Sequence, residues 1–430
     1  MLSVAARLGA VFLLAFTACA TQAATYYVAT NGSDGNPGTS SRPWKTLQHA
    51  ADRVAAGDTI RVRAGNYAGA NFETSGTASD PIVLQAYPGE TPVITADNPA
   101  TPDGINLEGA SYMTVKGFTV SGRTRAGIRA VTCNHVTIRD NRLDQNGYWG
   151  ILTGFCDDLL IEHNVASRSV RQHGIYVSNS GDRPVIRRNF VWGNSANGIH
   201  MNGDVSEGGD GIISDALVED NIIHANGATG GSGINCDGVQ DSIIRNNLLY
   251  DNHASGISLY QIDGGGPSTG DSVLNNTVIV ASNGRWALNI QNGARNTTVS
   301  NNILYNMGSY RGAIDISPDS LPGFASDYNA VMNRFTTDDG DSILTLAQWR
   351  QQTGLDAHSF VATPTQLFVD ARHNDYRLSP SSPAIDHGTT LADVPTDIAG
   401  VARPQGAYYD VGAYEFAGNG MQPESVDDLP

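Results

Sequence analysis

A Gly-Ile pair returns along this chain at Gly104-Ile105, Gly127-Ile128, Gly150-Ile151, Gly174-Ile175, Gly198-Ile199, Gly233-Ile234 and Gly256-Ile257, then in weaker form at Ala287-Leu288 and Ala313-Ile314. The steps are 23, 23, 24, 24, 35, 23, 31 and 26 residues. A second marker keeps time with the first: Asn141, Asn164, Asn189, Asn221, Asn247, Asn276 and Asn302 each follow a short apolar strand. A fixed period of this size means stacked supersecondary units, and β-branched alternation between Gly and Asn turns suits strands rather than helices. The expected fold is all-β, a right-handed parallel β-helix, or solenoid. Each coil cannot bury its own apolar face, so Ile128, Ile151, Ile175, Ile199, Ile234 and Ile257 should pile into one continuous core. The Asn column should form a hydrogen-bonded ladder in a turn, its neighbours separated by about the 4.8 Å strand spacing.

Around that solenoid the chain divides into a leader, residues 1–24, an N-terminal cap, residues 25–66, the coils, residues 67–335, a closing region, residues 336–416, and a polar tail, residues 417–430, expected to be disordered. The leader has Arg7 ahead of the apolar run Leu8 to Phe16 and then small residues, as an export signal requires; the run is too short to span a membrane. Secretion or a periplasmic location is the expectation, with acylation at Cys19 as the lesser alternative. Pro43 to Ala56 reads as an amphipathic helix that covers the open end of the core through Trp44, Leu47, Ala51 and Val54. Leu344 to Thr353 reads as a second short helix. Cys133 and Cys156 occupy the same position in adjacent coils, within disulfide reach, whereas Cys236 points inward. The formal charge is −17, which argues against nucleic acid or anionic membrane as general partners. Nothing in the pattern requires a partner subunit, so a monomer is expected.

Alternation places chemistry on one outer face. If Ile at Gly+1 points inward, Gly+2 and Gly+4 point outward, and in the central coils these positions hold Tyr176, His200, Asn202, Asn235, Asp237 and Tyr260. His173 precedes the Tyr176 strand, and a turn could bring it onto the same face. A second-strand column, Arg139, Glu162, Arg187, Glu219 and Arg245, alternates in sign as cross-coil ion pairs would. Arg123, Arg125, Arg129, Arg168 and Arg171 lie at neighbouring turns and suggest a basic patch able to grip carboxylates or sulfates bidentately. Asp204, Glu207 and Asp210 fall in a Gly-rich insertion. A carboxylate-rich loop of that kind could take Ca²⁺, although no cofactor is required by the sequence.

The loop-helix-strand opening followed by Gly65-Asn66-Tyr67, together with the coils, resembles secreted β-helix proteins of the pectate-lyase-like superfamily over roughly residues 25–335. That resemblance implies a polysaccharide-degrading enzyme. Asn235-Cys236-Asp237-Gly238 is similar to the Asn-Thr-Asp-Gly motif of polygalacturonase-like hydrolases, but the His-Gly element precedes it and no adjacent Asp pair follows. The favoured reading is therefore β-elimination on an acidic, uronic-acid-containing polysaccharide. His200, with His173 as alternative, is the base and Tyr176 the acid, an exchange of those roles being left open; Arg125, Arg129, Asn202, Asn235, Asp237 and Tyr260 hold substrate. Hydrolysis by paired carboxylates, C5-epimerisation and glycan binding without catalysis are the alternatives.

Overall fold

The computed structural model describes residues 23–418; the leader up to residue 22, including Cys19, and the tail from residue 419 lie outside the described residues. Three parallel sheets of twelve, ten and twelve strands run the length of the molecule, and each central coil contributes one short strand to each. The middle sheet is the Gly-Ile sheet. Its register pairs Ile128 with Ile151, Ile151 with Ile175, Ile175 with Ile199, Ile199 with Ile234 and Ile234 with Ile257, and all six side chains are fully buried.

Both sequence markers have a physical cause. A Cβ on Gly174 would lie 2.5 Å from Val191 Cγ1 and 2.9 Å from the Gly198 carbonyl oxygen, so the chain can cross the lead-in turn only without a side chain. At the other turn, Asn189 donates through Nδ2 to Asn221 Oδ1 at 3.0 Å, and Asn221 donates to Asn247 Oδ1 at the same distance. Each amide also reaches a carbonyl of the preceding coil, as Asn221 does to Ile186 at 2.8 Å. The ladder extends one rung further than expected, to Asn329. The residue before each Asn adopts a left-handed conformation, with φ of 54° at His163 and 55° at Asp220; a non-glycine residue there costs on the order of 1 kcal/mol, which the buried amide bonds offset.

Cys133 and Cys156 form the expected disulfide, Cα to Cα 4.7 Å, and Cys236 is buried and free. The second-strand charge column is an ion-pair ladder: Arg187 meets Glu162 at 2.8 Å and Arg245 meets Glu219 at 2.6 Å.

The N-terminal helix is shorter than expected. It spans Leu47–Ala51, because the Asp34 carboxylate takes the N–H groups of Lys45 and Thr46 at 2.8 and 3.0 Å and Trp44 is extended, its N–H on the Tyr27 carbonyl. Trp44, Leu47, Ala51 and Val54 are nonetheless all buried. The second helix, Leu346–Thr353, starts at a Thr345–Gln348 capping box. Beyond it the chain folds back along the third sheet, packing around Ile222, Leu248, Tyr250 and Ile303. There Asp397 and Asp410 accept backbone N–H groups within the segment, a structural use of both carboxylates.

Candidate active site

The outer face of the Gly-Ile sheet carries three columns. Tyr176 pairs in register with His200, His200 with Asn235, Asn235 with Ser258 and Ser258 with Asn289. Asn202 pairs with Asp237 and Asp237 with Tyr260 in the column two residues on. The third column is the residue before each Gly, where the tight turn breaks strict alternation. His173 therefore reaches the face: its ring centroid lies 5.1 Å from that of Tyr176 and 4.7 Å from that of His200. Tyr176 stacks on His200 at 5.0 Å.

Hydrogen bonding fixes the tautomers of the histidine pair. The Asn197 backbone N–H donates to His173 Nδ1 at 3.1 Å, and a neutral imidazole that accepts at Nδ1 carries its hydrogen on Nε2. His173 Nε2 faces His200 Nδ1 at 3.2 Å, so the second ring also carries its hydrogen on Nε2. That nitrogen is buried and meets no partner among the described residues. Burial holds the His173 pKa down at about 4; burial, and then the neighbouring His173, lower that of His200 well below its ordinary value. Both rings are neutral near pH 7.

Two tyrosines are held alike. Asn202 Nδ2 donates to the Tyr176 hydroxyl oxygen at 3.3 Å, and Asn235 Nδ2 to that of Tyr260 at 2.7 Å. Each phenol thus keeps its own proton to give. Burial raises both phenol pKa values, and the amide donors partly oppose this.

Three expected roles change. Asp237 is 1% exposed, and its carboxylate accepts the N–H groups of Ile262, Asp263 and Gly264 at 2.9, 2.8 and 3.1 Å; it anchors that loop and has no free edge for substrate. The basic patch is a set of ion pairs. Arg125 forks onto the buried Asp103 at 2.9 and 2.6 Å, Arg129 meets Glu108 and Asn106, Arg123 meets Asp97 and Arg168 meets Asp144, while Arg171 lies over the Tyr148 ring. The acidic loop does not converge: Asp204 caps Ser206, Asp210 caps Ile212, and Glu207 is exposed. Among the described residues no group of three or more His, Cys, Asp or Glu is placed to hold a metal ion, so these three carboxylates do not fit the Ca²⁺ that a loop of this kind could take.

Sequence reasoning centred on the middle coils and gave no role to the far end of the face. A cleft of about 350 Å³ is lined there by Asn235, Tyr260, Arg285, Trp286, Asn289 and Arg311, among others. Arg285 and Trp286 directly precede Ala287, so the lead-in column that revealed His173 would have found them. A larger groove, about 860 Å³, follows the Asn-ladder turn; its amides are already bonded to one another, and volume alone does not make it a site.

Comparison with known proteins places the fold. The family described as "Pel9A-like, right handed beta helix region" matches residues 26–259, more than half of the chain. Pectate lyase PEL9 of Emericella nidulans is 41% identical over 88 residues, 20% of this chain and 22% of that protein. The uncharacterized protein YwoF of Bacillus subtilis is 30% identical over 130 residues, 27% of this chain and 28% of that protein. The chain thus matches only about a quarter of the length of these curated relatives. Among solved structures, pectate lyase Pel9A superposes with a TM-score of 0.60 at 18% identity, covering 92% of this chain and 97% of that one. A rhamnogalacturonan lyase gives 0.52 at 17% identity, covering 86% and 97%. The mannuronan C-5 epimerase AlgE6 A-module of Azotobacter vinelandii gives 0.52 at 15%, covering 79% and 89%. Likeness at such identities shows the fold. No helix among the described residues is long and apolar enough to cross a membrane.

Proposed function

The chain belongs to the Pel9A-like right-handed β-helix family, and from that premise, with pectate and rhamnogalacturonan lyases among the proteins it resembles, we infer that it cleaves an acidic polysaccharide by β-elimination at the Tyr176–His200 face. The observation that carries the reading is the Tyr176 hydroxyl, held by Asn202 and stacked on a neutral histidine, while Asp237 is fully engaged by backbone N–H groups. Hydrolysis needs two available carboxyl groups, and the carboxylate its motif would supply is occupied.

Elimination breaks the C–H bond next to the sugar carboxylate, forms a C=C bond with those electrons, and releases the glycosidic oxygen with a proton. Tyr176 is the group suited to proton transfer. Its phenolate takes the carbon-bound proton and its phenol returns one to the leaving oxygen when both lie on one side of the ring. His200 cannot be the base in its fixed tautomer, because Nδ1 is occupied and Nε2 already carries hydrogen; this favours giving the base role expected of His200 to Tyr176. Its Nε2–H is an unsatisfied buried donor, and a substrate oxygen gaining negative charge would satisfy it once the covering side chains move. Asn202 and Asn235 orient the phenols beside the substrate path, and Tyr260 extends that path. The disulfide fits an oxidising compartment, and the reading includes secretion and action as a monomer.

The purified protein is to be incubated with polygalacturonate, alginate and rhamnogalacturonan while ultraviolet absorbance of unsaturated ends and total reducing ends are followed together. Equal growth of both signals on one polymer is expected. Reducing ends without absorbance would establish hydrolysis instead, and neither signal on any polymer would overturn cleavage.

A further inference from the structure

Four rungs along the sheet from Tyr176, the cleft contains an electrostatic arrangement unlike the rest of the face. The guanidinium carbons of Arg285 and Arg311 lie 4.4 and 4.6 Å from the centroid of the same ring, that of Trp286. Trp286 is itself held by a hydrogen bond from its indole N–H to Ser258 at 3.1 Å. Arg311 is matched by Asp315, which is fully buried, and by Asp339 at 3.5 Å. Arg285 has no carboxylate partner among the described residues; its guanidinium donates to the Gly231 carbonyl oxygen at 3.4 Å. Arginines 125, 129, 168, 187 and 245, on other coils, each meet an Asp or Glu. Arg285 is exposed, so a guanidinium with no carboxylate beside it, next to a second one, stands open to an anion from solution.

Two further observations point to a ligand. Asn289 is 5% exposed, and its Oδ1 is buried without a partner; Gln291 Nε2 is also buried and unpartnered. Both residues line the cleft. A buried polar atom left unpaired costs about 1–3 kcal/mol, and a bound sugar, with hydroxyls to donate and oxygens to accept, supplies what both atoms lack. A guanidinium fork binds a carboxylate bidentately, and a cation resting on an indole is only weakly hydrated.

We propose that Arg285, seated with Arg311 on Trp286, is a carboxylate subsite that binds a uronate residue of the substrate about 19 Å from Tyr176, four strand spacings away. The inference rests on the lyase reading of the same face and adds its substrate requirement: a run of acidic sugars long enough to span both places. A polymer acidic at only one position would leave Arg285 unmatched. Asn289 and Gln291 engage the sugar's hydroxyls, while Arg311, already neutralised by Asp315 and Asp339, holds the ring face that positions Arg285.

The test is calorimetric titration of the Tyr176→Phe protein, whose turnover is expected to be at least about 10²-fold slower, with hexagalacturonate, hexamannuronate and their methyl esters, repeated with Arg285→Ala added. One of the acidic hexamers is expected to bind at least 10-fold more tightly than its ester, Arg285→Ala should remove that preference, and Arg285→Lys should restore part of it. The ester should bind both proteins alike. Equal binding of acid and ester by the Tyr176→Phe protein, an acid preference that survives Arg285→Ala, or no binding of either hexamer would overturn the subsite. Failure of the lyase reading is separately visible: a hexamer that binds through Arg285 yet gives no unsaturated product with the unmutated enzyme would leave the subsite standing and remove elimination.

Discussion

His173 Nε2 lies 3.2 Å from His200 Nδ1, and because the Asn197 N–H already occupies His173 Nδ1, the hydrogen between the rings belongs to His173. A backbone donor one coil away thereby decides that His200 presents N–H, rather than a lone pair, at its remaining nitrogen. The division of labour between His200 and Tyr176 follows from that bond.

Removing the Tyr176 hydroxyl should abolish proton transfer while leaving the packing in place. Tyr176→Phe keeps the ring stacked on His200, and a fall in kcat of roughly 10²-fold or more is expected with little change in melting temperature. His200→Ala should also lower kcat by about 10²-fold, the usual cost of removing a preorganised donor, but with some loss of stability because the His173 N–H is left unpaired. Steady-state kinetics beside thermal unfolding separates the two. Near-normal turnover in both variants would move the reaction elsewhere on the face.

The pH dependence distinguishes a tyrosine base from a histidine base. Burial raises the Tyr176 pKa above the ordinary value of 10, and the Asn202 hydrogen bond opposes that only in part. The reactive phenolate fraction therefore grows about tenfold for each pH unit below that pKa. A plot of log kcat/KM should climb with a slope near one from pH 6 to pH 9. A flat profile over that range would instead assign the base to an imidazole, since burial keeps both rings neutral throughout it.

Stability should carry the mark of His173. Its folded pKa is held at about 4 by burial, whereas the unfolded chain takes up the proton near 6.5. Between those values the unfolded state binds more protons, so this group costs stability as pH falls, to a total of ~3 kcal/mol. Asp220 and Asp315, raised by burial to about 7 and about 6, act in the opposite direction. The informative quantity is consequently a difference. Denaturant unfolding of wild type and His173→Asn should show wild type ahead by most at pH 7.5, with the gap narrowing towards pH 4.5. A constant gap would mean that His173 titrates alike in the folded and unfolded states.

The fold was legible because every coil repeats one packing problem, and the same answer is therefore written many times in the sequence: Gly where the next coil's carbonyl is too close, Ile beneath it, Asn at the turn. The site was legible where simple alternation holds, which placed Tyr176, His200, Asn202, Asn235 and Tyr260 on one face. Alternation fails at the tight Gly turn, and the column before it, with Trp286, was hidden for that reason. The Arg125 and Arg129 patch misled in a different way. Their charge is plain in the sequence, but Asp103 and Glu108 lie one coil earlier, and only the three-dimensional register makes the pairs visible. Asp237 likewise reads as a residue free to hold substrate until the N–H groups of a loop about 25 residues later are seen to fill it.

That loop provides the clearest separation between elimination and hydrolysis. Asp237 pairs in register with Tyr260, so a catalytic role would be geometrically plausible if its oxygens were available. They accept three backbone N–H groups, from Ile262, Asp263 and Gly264; burial is the largest influence on its pKa and raises it, while these three bonds oppose that rise. Asp237→Asn keeps the size of the side chain but turns one acceptor into an NH₂ group facing N–H donors, which should loosen the loop by about 1–3 kcal/mol of local stability. Amide exchange at residues 262–264 should accelerate, and KM should rise because Ile262 borders the cleft. The kcat should stay within about tenfold of wild type, since the carboxylate touches no reacting atom. Loss of kcat by 10³-fold or more, with the loop still protected from exchange, would make Asp237 the acid of a hydrolase and displace Tyr176 from the centre of the reaction.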